Sequence, residues 1–419
     1  MRTRVGRGWM TLFTLAWLII WMVQLTPLQL LLPLQLDDQV SSDGDRWVHG
    51  VVVSGLILGV GGLVGVVAGP LAGALSDRTD SRRFPTWLGG RRRVWSLAGV
   101  WLTTICLVLT GFAHRPVFVG AAWIGVSVGV AIASAAFTAL IADQLPADQR
   151  GAASAAVGSS QAAGIVVGVG LIVTLGLSVL VGYLVLAILI AVVGTGAACL
   201  LPDPKRPGET HKAASERDAL RSLRDRDFSW MLTGRLVANI GNALGTSLFL
   251  FFLLYGLHQE KSTAEDNLLV LVVVYTVFVV ISSIVSGIYS DRTGHRRALT
   301  VAAAMVQALS GVAICAHQTF TMTIVGAALM GVGYGAFSTV GLAFATDLLP
   351  HEEDHGRDLG VVNVAAALGQ LIGPILGAGL VAAVGGFSLL FAMAAVLSVV
   401  GGLLTLRARE HTAPTLTAP

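Results

Sequence analysis

Two strings that pair an aspartate with arginines stand out in a chain otherwise poor in charge. The first runs Gly69-Pro-Leu-Ala-Gly73-Ala-Leu-Ser-Asp77-Arg78-Thr79 and continues to Arg91-Arg92-Arg93. The second runs Ser286-Gly287-Ile-Tyr-Ser-Asp291-Arg292-Thr293-Gly294-His295-Arg296-Arg297. A carboxylate at a helix end can hold a guanidinium and the N-terminal dipole of a neighbouring helix through charge-assisted hydrogen bonds. Such a contact locks two helix ends together reversibly. Each string is followed by a second acid ahead of a proline, Asp143 in Ala142-Asp143-Gln-Leu-Pro146 and Asp347 in Thr346-Asp347-Leu-Leu-Pro350. The step from Asp77 to Asp143 is 66 residues and that from Asp291 to Asp347 is 56. The difference of ten sits in one loop, because Asp77 to Arg92 is 15 residues and Asp291 to Arg296 is 5. Two motifs in one order with one local insertion mark a duplicated chain. The candidate latch is Asp77, Arg78, Arg92 and Asp143, mirrored by Asp291, Arg292, Asp347 and Arg357. The competing reading is a set of solvated loop charges that only fix orientation.

Few other polar groups fall inside apolar runs. Gln24 and Gln29 flank Thr26 and Pro27, Gln161 follows in a later run, and Asn239, Asn242, Asn363 and Gln370 lie in the second half. Amides can hydrogen-bond a neutral solute without the desolvation cost of a charge, so these seven are the substrate-binding candidates. Interhelical hydrogen bonding is the competing role for each, and Gln307, in the ninth run, is left out of the set. Arg235 is a basic residue well inside an apolar run; an ion pair or snorkelling to the surface is expected, with an anion contact as the alternative. Trp17, Trp21, Trp123, Tyr255 and Tyr334 could stack on a ligand, although interfacial aromatics are the commoner case. Cys106, Cys199 and Cys315 lack neighbours at metal-ligand spacing, so neither a metal site nor a disulfide is expected. No catalytic residues, cofactor or phosphate-binding loop can be assigned, which argues against an enzyme and against ATP as energy source.

The elements that must position these groups are membrane helices. Of 419 residues, 54% are hydrophobic and 12% charged, and the mean hydropathy is +0.77. A water-soluble chain carries about a quarter charged residues, so the bilayer is the expected solvent. Twelve runs are long enough to span it: 9–36, 48–75, 94–113, 117–142, 152–175, 177–201, 228–257, 267–289, 298–316, 320–345, 359–384 and 387–406. The fold class is therefore all-α, with twelve transmembrane helices in two pseudo-symmetric six-helix bundles. The domains expected are 1–201, a linker 202–227 with a short amphipathic segment near Ala219–Arg226, and 228–419. Threading the spans puts nearly all the arginines on one side, leaving Arg46, Arg115 and Lys261 opposite. That places both termini in the cytoplasm of a multi-pass protein of the cytoplasmic membrane. The net charge of +3 sits in loops and implies no nucleic-acid partner.

Twelve spans, a central linker and paired Gly-x-x-x-Asp-Arg loops resemble the major facilitator superfamily. The string Asp77-Arg78-Thr79 followed by Arg91-Arg92-Arg93-Val94-Trp95 is closest to the loop of the sucrose and glycoside–cation symporter branch, with Val94 where that branch commonly has proline. The resemblance implies the major facilitator fold, spans one, five, seven and eleven beside the path, alternating access and a monomer. The acids that melibiose-type relatives carry in the second span are absent from 48–75, and the Gly-Pro-x-x-Gly string appears at Gly373-Pro374 rather than in the fifth span. Three functions are carried forward. The first is secondary transport of a small organic solute, as export of a neutral or lipophilic molecule. The second is symport of a sugar-like solute with a coupling proton or cation, for which Asp143 is the nearest acid. The third is a non-transporting receptor on the same fold.

Overall fold

The computed structural model describes residues 4–40, 47–79, 90–203, 225–348 and 355–409, without the side chains of 147–148, 355–361, 363 and 366. All regular structure among them is helical. In chain order the spans are α1 (Arg7–Val40), α2 (Trp47–Arg78), α3 (Arg91–Phe112), α4 (Pro116–Gln144), α5 (Ala147–Thr174) and α6 (Val179–Leu200). There follow α7 (Arg226–Ser247 and Phe249–Gly256), α8 (Lys261–Thr293), α9 (Arg296–Ala316), α10 (Phe320–Asp347), α11 (His355–Val384) and α12 (Ser388–Leu406). Eleven are long and apolar enough to cross a membrane, and twelve if the two parts of α7 count as one. Their outward faces would be unstable in water: Leu56, Leu63, Val67 and Leu71 on α2 and Ile281, Ile284, Val285 and Ile288 on α8 are all exposed. Lipid is the solvent that accepts such surfaces.

The chain divides into two compact units, Met1–Ala213 with Glu260–Leu269, and Ala214–Gln259 with Val270–Pro419. Within the first, α3 packs on α4, α2 on α4, α1 on α5 and α3 on α6; within the second, α9 packs on α10, α7 on α11 and on α12, and α9 on α12. Small residues make these approaches possible. A Cβ on Gly129 of α4 would meet the Thr103 amide nitrogen of α3 at 2.7 Å, and one on Gly333 of α10 would meet the Gln307 nitrogen of α9 at 2.6 Å. Gly129 and Gly333, Thr103 and Gln307, and Arg92 and Arg296 are each separated by the same 204 residues. The duplication read from the loops is thus carried through the helix contacts.

Departures from straight helices fall where the sequence reading expected continuous runs. In α1 the turn Pro27–Leu31 widens to a π-turn, because Pro27 has no N–H to give the preceding turn. Helix α7 bends by 42° at Leu248, whose φ of −115° and ψ of 19° leave the helical region, and its second part ends in a π-turn at Phe252–Gly256. No proline marks that break. Helix α8 begins at Lys261, six residues ahead of the apolar run, because polar residues can extend a helix beyond the hydrophobic stretch.

Candidate functional site

The basic ends of α2, α3 and α4 converge on Arg92. Its Nη2 donates to Asp77 Oδ1 at 2.6 Å, its Nε to Asp143 Oδ2 at 2.9 Å and its Nη1 to Ser76 Oγ at 2.8 Å. The side chain is 7% exposed, against 42% for Asp77 and 26% for Asp143. One guanidinium therefore joins three helices, with two carboxylates offsetting its desolvation. Arg91 donates to the Asp77 carbonyl at 2.9 Å, and Trp95 Nε1 to Thr79 Oγ1 at 3.0 Å. A cleft of about 260 Å³ opens beside this cluster, walled by Gly73, Asp77, Arg91, Arg92, Ala142 and Asp143 among others.

Arg93 points the other way, holding the carbonyls of Ala198 at 3.0 Å and Leu201 at 3.3 Å, at the end of α6. Just beyond, Asp203 turns back over the start of α3 and accepts the Arg93 amide at 2.8 Å. Burial pushes the Asp203 carboxyl above the usual carboxylate range, opposed by hydrogen bonds from the Arg93 and Arg92 amides. The carboxylate replaces an N-cap that Gly90 cannot supply, and a Cβ on Gly90 would collide with it. Asp203→Ala is expected to cost about 1 kcal/mol through loss of this cap, and Gly90→Ala should lower the unfolding midpoint likewise. Equal midpoints for wild type and both variants in detergent would contradict the capping role.

The second unit repeats the pattern more loosely. Arg296 of α9 reaches Asp347 Oδ1 at 2.6 Å and Asp291 Oδ1 at 3.5 Å, and donates to the Ala343 carbonyl at 2.9 Å. Here the carboxylates are 50% and 73% exposed and Arg296 is 22% exposed. Asp77, Arg92 and Asp143 thus come together as the sequence spacing suggested, and so do Asp291 and Asp347. Their cation is Arg296 instead of Arg292. Arg78 and Arg292 are both exposed, since a residue next to an aspartate on a helix projects about 100° away from it. The Arg357 side chain lies outside the described residues. Missed from the candidate set were Ser76, Arg296 and Asp203; the equal 204-residue step from Arg92 was the signal for Arg296.

The substrate candidates separate by burial. Gln24 and Gln29 are half-buried on α1, the latter inside the π-turn, while Gln161 of α5 and Gln370 of α11 are exposed. The Asn363 side chain is outside the described residues, as is most of the segment expected near 219–226. Asn239 and Asn242 are buried on α7. Gln307 serves as an interhelical tie, donating to the Ala238 carbonyl at 3.0 Å and Ser398 Oγ at 2.8 Å. Gln35, not among the candidates, does the same between α1 and α3, donating to the carbonyls of Thr110 at 2.7 Å and Ala113 at 3.1 Å.

Arg235 does not snorkel. It lies nine residues, ~13 Å, into α7, is 6% exposed, and donates from Nη1 to the Ser338 carbonyl of α10 at 3.3 Å. Its Nε has no hydrogen-bond acceptor, and no carboxylate among the described residues pairs with it. No ion pair to Arg235 forms among the described residues. Arg235, Asn239 and Asn242 follow i, i+4, i+7 spacing and form one stripe of α7. Beside them Tyr275 of α8 and Tyr334 of α10 stack with ring centroids 6.3 Å apart, and the Tyr275 hydroxyl lies 3.4 Å from the Asn242 amide. In the first unit a ladder of Trp9, Phe13, Trp17 and Trp21 runs along α1, with centroids 4.9, 6.4 and 6.1 Å apart. Trp17 and Trp123 are buried in the protein, so neither is an interfacial anchor.

Duplicated helical units with apolar outward faces and a buried polar stripe on α7 fit a multi-pass membrane protein, and comparison with known proteins gives its family. The family model of the Major Facilitator Superfamily matches residues 87–304 and 236–419, so the chain belongs to that superfamily. Myo-inositol transporter 3C of Cryptococcus neoformans is 32% identical over 124 residues, 30% of this chain and 21% of that protein. An uncharacterised MFS-type transporter of Mycobacterium tuberculosis is 35% identical over 95 residues, 22% of this chain and 13% of the other. The chain thus matches about a fifth or less of the length of these curated relatives. Among solved structures, a nucleoside transporter aligns at a TM-score of 0.76 and 11% identity, covering 96% of this chain and 99% of that one. A D-xylose–proton symporter aligns at 0.70 and 16%, covering 96% and 97%. These likenesses establish the fold.

Proposed function

We propose that this protein is a secondary transporter of the cytoplasmic membrane that moves a small organic solute by alternating access, with both termini on the cytoplasmic side. The observation that carries the reading is the Arg92 cluster. Three helix ends are joined through charges that water can reach from one side, which suits a contact made and broken in each transport cycle. The Arg296 cluster is its counterpart in the second unit, and the Arg-rich ends face the cytoplasm by the positive-inside rule. Export of a neutral or lipophilic molecule is the first reading. The aromatic ladder on α1 supports it, with indole N–H groups of Trp17 and Trp21 that meet no acceptor among the described residues. A lipophilic molecule enters through the bilayer unaided, so a carrier is useful to it chiefly on the way out.

A second reading is uptake of a polyhydroxylated solute by symport. The similarity to a myo-inositol transporter favours it, as does the resemblance of the Asp77–Trp95 loop to the sucrose and glycoside–cation branch. Gln24, Gln29, Gln161, Asn239, Asn242, Asn363 and Gln370 are the amides proposed to meet hydroxyl groups. Transport into and out of proteoliposomes under imposed proton or sodium gradients separates the readings, with myo-inositol and a lipophilic cation as probes. Export predicts movement of the lipophilic probe; symport predicts inositol accumulation driven by one gradient. The variant Asp77→Asn should slow whichever flux is found by at least tenfold. An unchanged flux at normal protein level would remove the latch from the mechanism.

A further inference from the structure

The stripe on α7 has a chemistry of its own. It carries a guanidinium that is 6% exposed and an amide, Asn239, that is 3% exposed. The groups left without partners there among the described residues, Arg235 Nε and Asn239 Nδ2, are both donors. A buried cation without a counter-charge is costly, and a buried donor without an acceptor adds to that cost. The partner both call for is an oxyanion. Arg235 is held in place by the Ser338 carbonyl at 3.3 Å, and a Cβ on Gly341 would sit 3.1 Å from its Nη1, so the guanidinium packs closely over that glycine. The stacked phenols of Tyr275 and Tyr334 offer a flat apolar wall with hydroxyl edges beside the charge.

We infer that the second unit binds a small organic anion, with its carboxylate or phosphate on Arg235 and Asn239 and its carbon skeleton against Tyr275 and Tyr334. The inference rests on the transporter reading and names its cargo as an anion, where the buried amides alone suggest a neutral solute. Benzoate and glycerol 3-phosphate are the probes for the two oxyanions, and myo-inositol is the neutral control.

The full chain is purified in detergent and its unfolding midpoint followed with and without each probe. Either anion should raise the wild-type midpoint, and the rise should vanish in Arg235→Gln and shrink in Asn239→Ala. Without probe, Arg235→Gln should unfold no earlier than wild type, because removing an unpaired buried cation relieves strain. A midpoint lowered in Arg235→Gln and restored in Arg235→Lys would assign the cation a structural role and overturn the proposal. In proteoliposomes, counterflow of the anion that binds should fall at least tenfold in Arg235→Gln. Equal myo-inositol flux in wild type and Arg235→Gln, with no stabilisation by either anion, would leave the transporter standing and reject the anion. Stabilisation by an anion without flux of any probe would keep the site and reject transport. Silence of all three probes in both assays would reject both.

Discussion

Arg92→Ala is expected to destabilise the protein by about 2–3 kcal/mol, whereas Arg296→Ala, at the equivalent position of the second unit, should cost under about 1 kcal/mol. The guanidinium of Arg92 is 7% exposed and satisfies Asp77, Asp143 and Ser76 together. Its removal takes the shared cation from two carboxylates and a hydrogen bond from the buried Ser76 hydroxyl. Breaking a buried pair typically costs about 3–5 kcal/mol, and the partial exposure of both aspartates discounts that figure. At Arg296 the carboxylates are half or more exposed, water replaces the lost partner, and the behaviour of surface pairs applies. Unfolding of the purified variants in detergent reads both values. Equal losses would show that burial does not set the strength of these clusters.

The second large effect concerns backbone approach. Gly401→Ala on α12 should lower stability by about 1–3 kcal/mol or more, because overpacking between helices forces backbone shifts. The added Cβ would lie 2.7 Å from the Ala238 nitrogen and 2.7 Å from the Gly234 oxygen of α7, neither of which is a flexible side-chain end. Gly333→Ala should behave alike, since its Cβ would meet the Gln307 nitrogen of α9 at 2.6 Å. Gly196→Ala is the control: nothing lies within 4 Å of the Cβ, so the better helix propensity of alanine should leave stability unchanged or raise it by up to about 1 kcal/mol. Thermal midpoints of the three variants should order accordingly. A destabilised Gly196→Ala with an intact Gly401→Ala would rule out packing as the reason for glycine here.

Much of this was legible before any coordinates. Membrane spans are long apolar runs, so their number and most of their ends follow from composition alone, and the acid spacing located both charge clusters. What the sequence hid has a common cause. Helices apolar on nearly all faces carry no periodicity that reveals their rotation. Arg235 is the exception: its i, i+4, i+7 step to Asn239 and Asn242 marks a polar stripe on α7, yet a basic residue near a span end is expected to snorkel. The same blindness let Arg292, adjacent to Asp291, stand in for Arg296, which a helix start turns toward Asp347. The bend of α7 at Leu248 had no proline to announce it, whereas the widened turn of α1 follows from Pro27. Gln161 and Gln370 looked like their buried counterparts because an amide's neighbours come from other helices.

The matched pair Thr103 and Gln307 shows where the two copies have diverged in stiffness. In the first unit the Thr103 hydroxyl turns back to its own helix, at the Gly99 carbonyl 2.8 Å away, and makes no hydrogen bond to another helix among the described residues. In the second, Gln307 rivets α9 to α7 through Ala238 and to α12 through Ser398. One rivet replaces a sliding contact with a fixed one among three helices. At that level α9 should therefore shift less against α7 and α12 than α3 does against its neighbours, whereas at the charged helix ends the buried Arg92 cluster makes the first unit the firmer of the two.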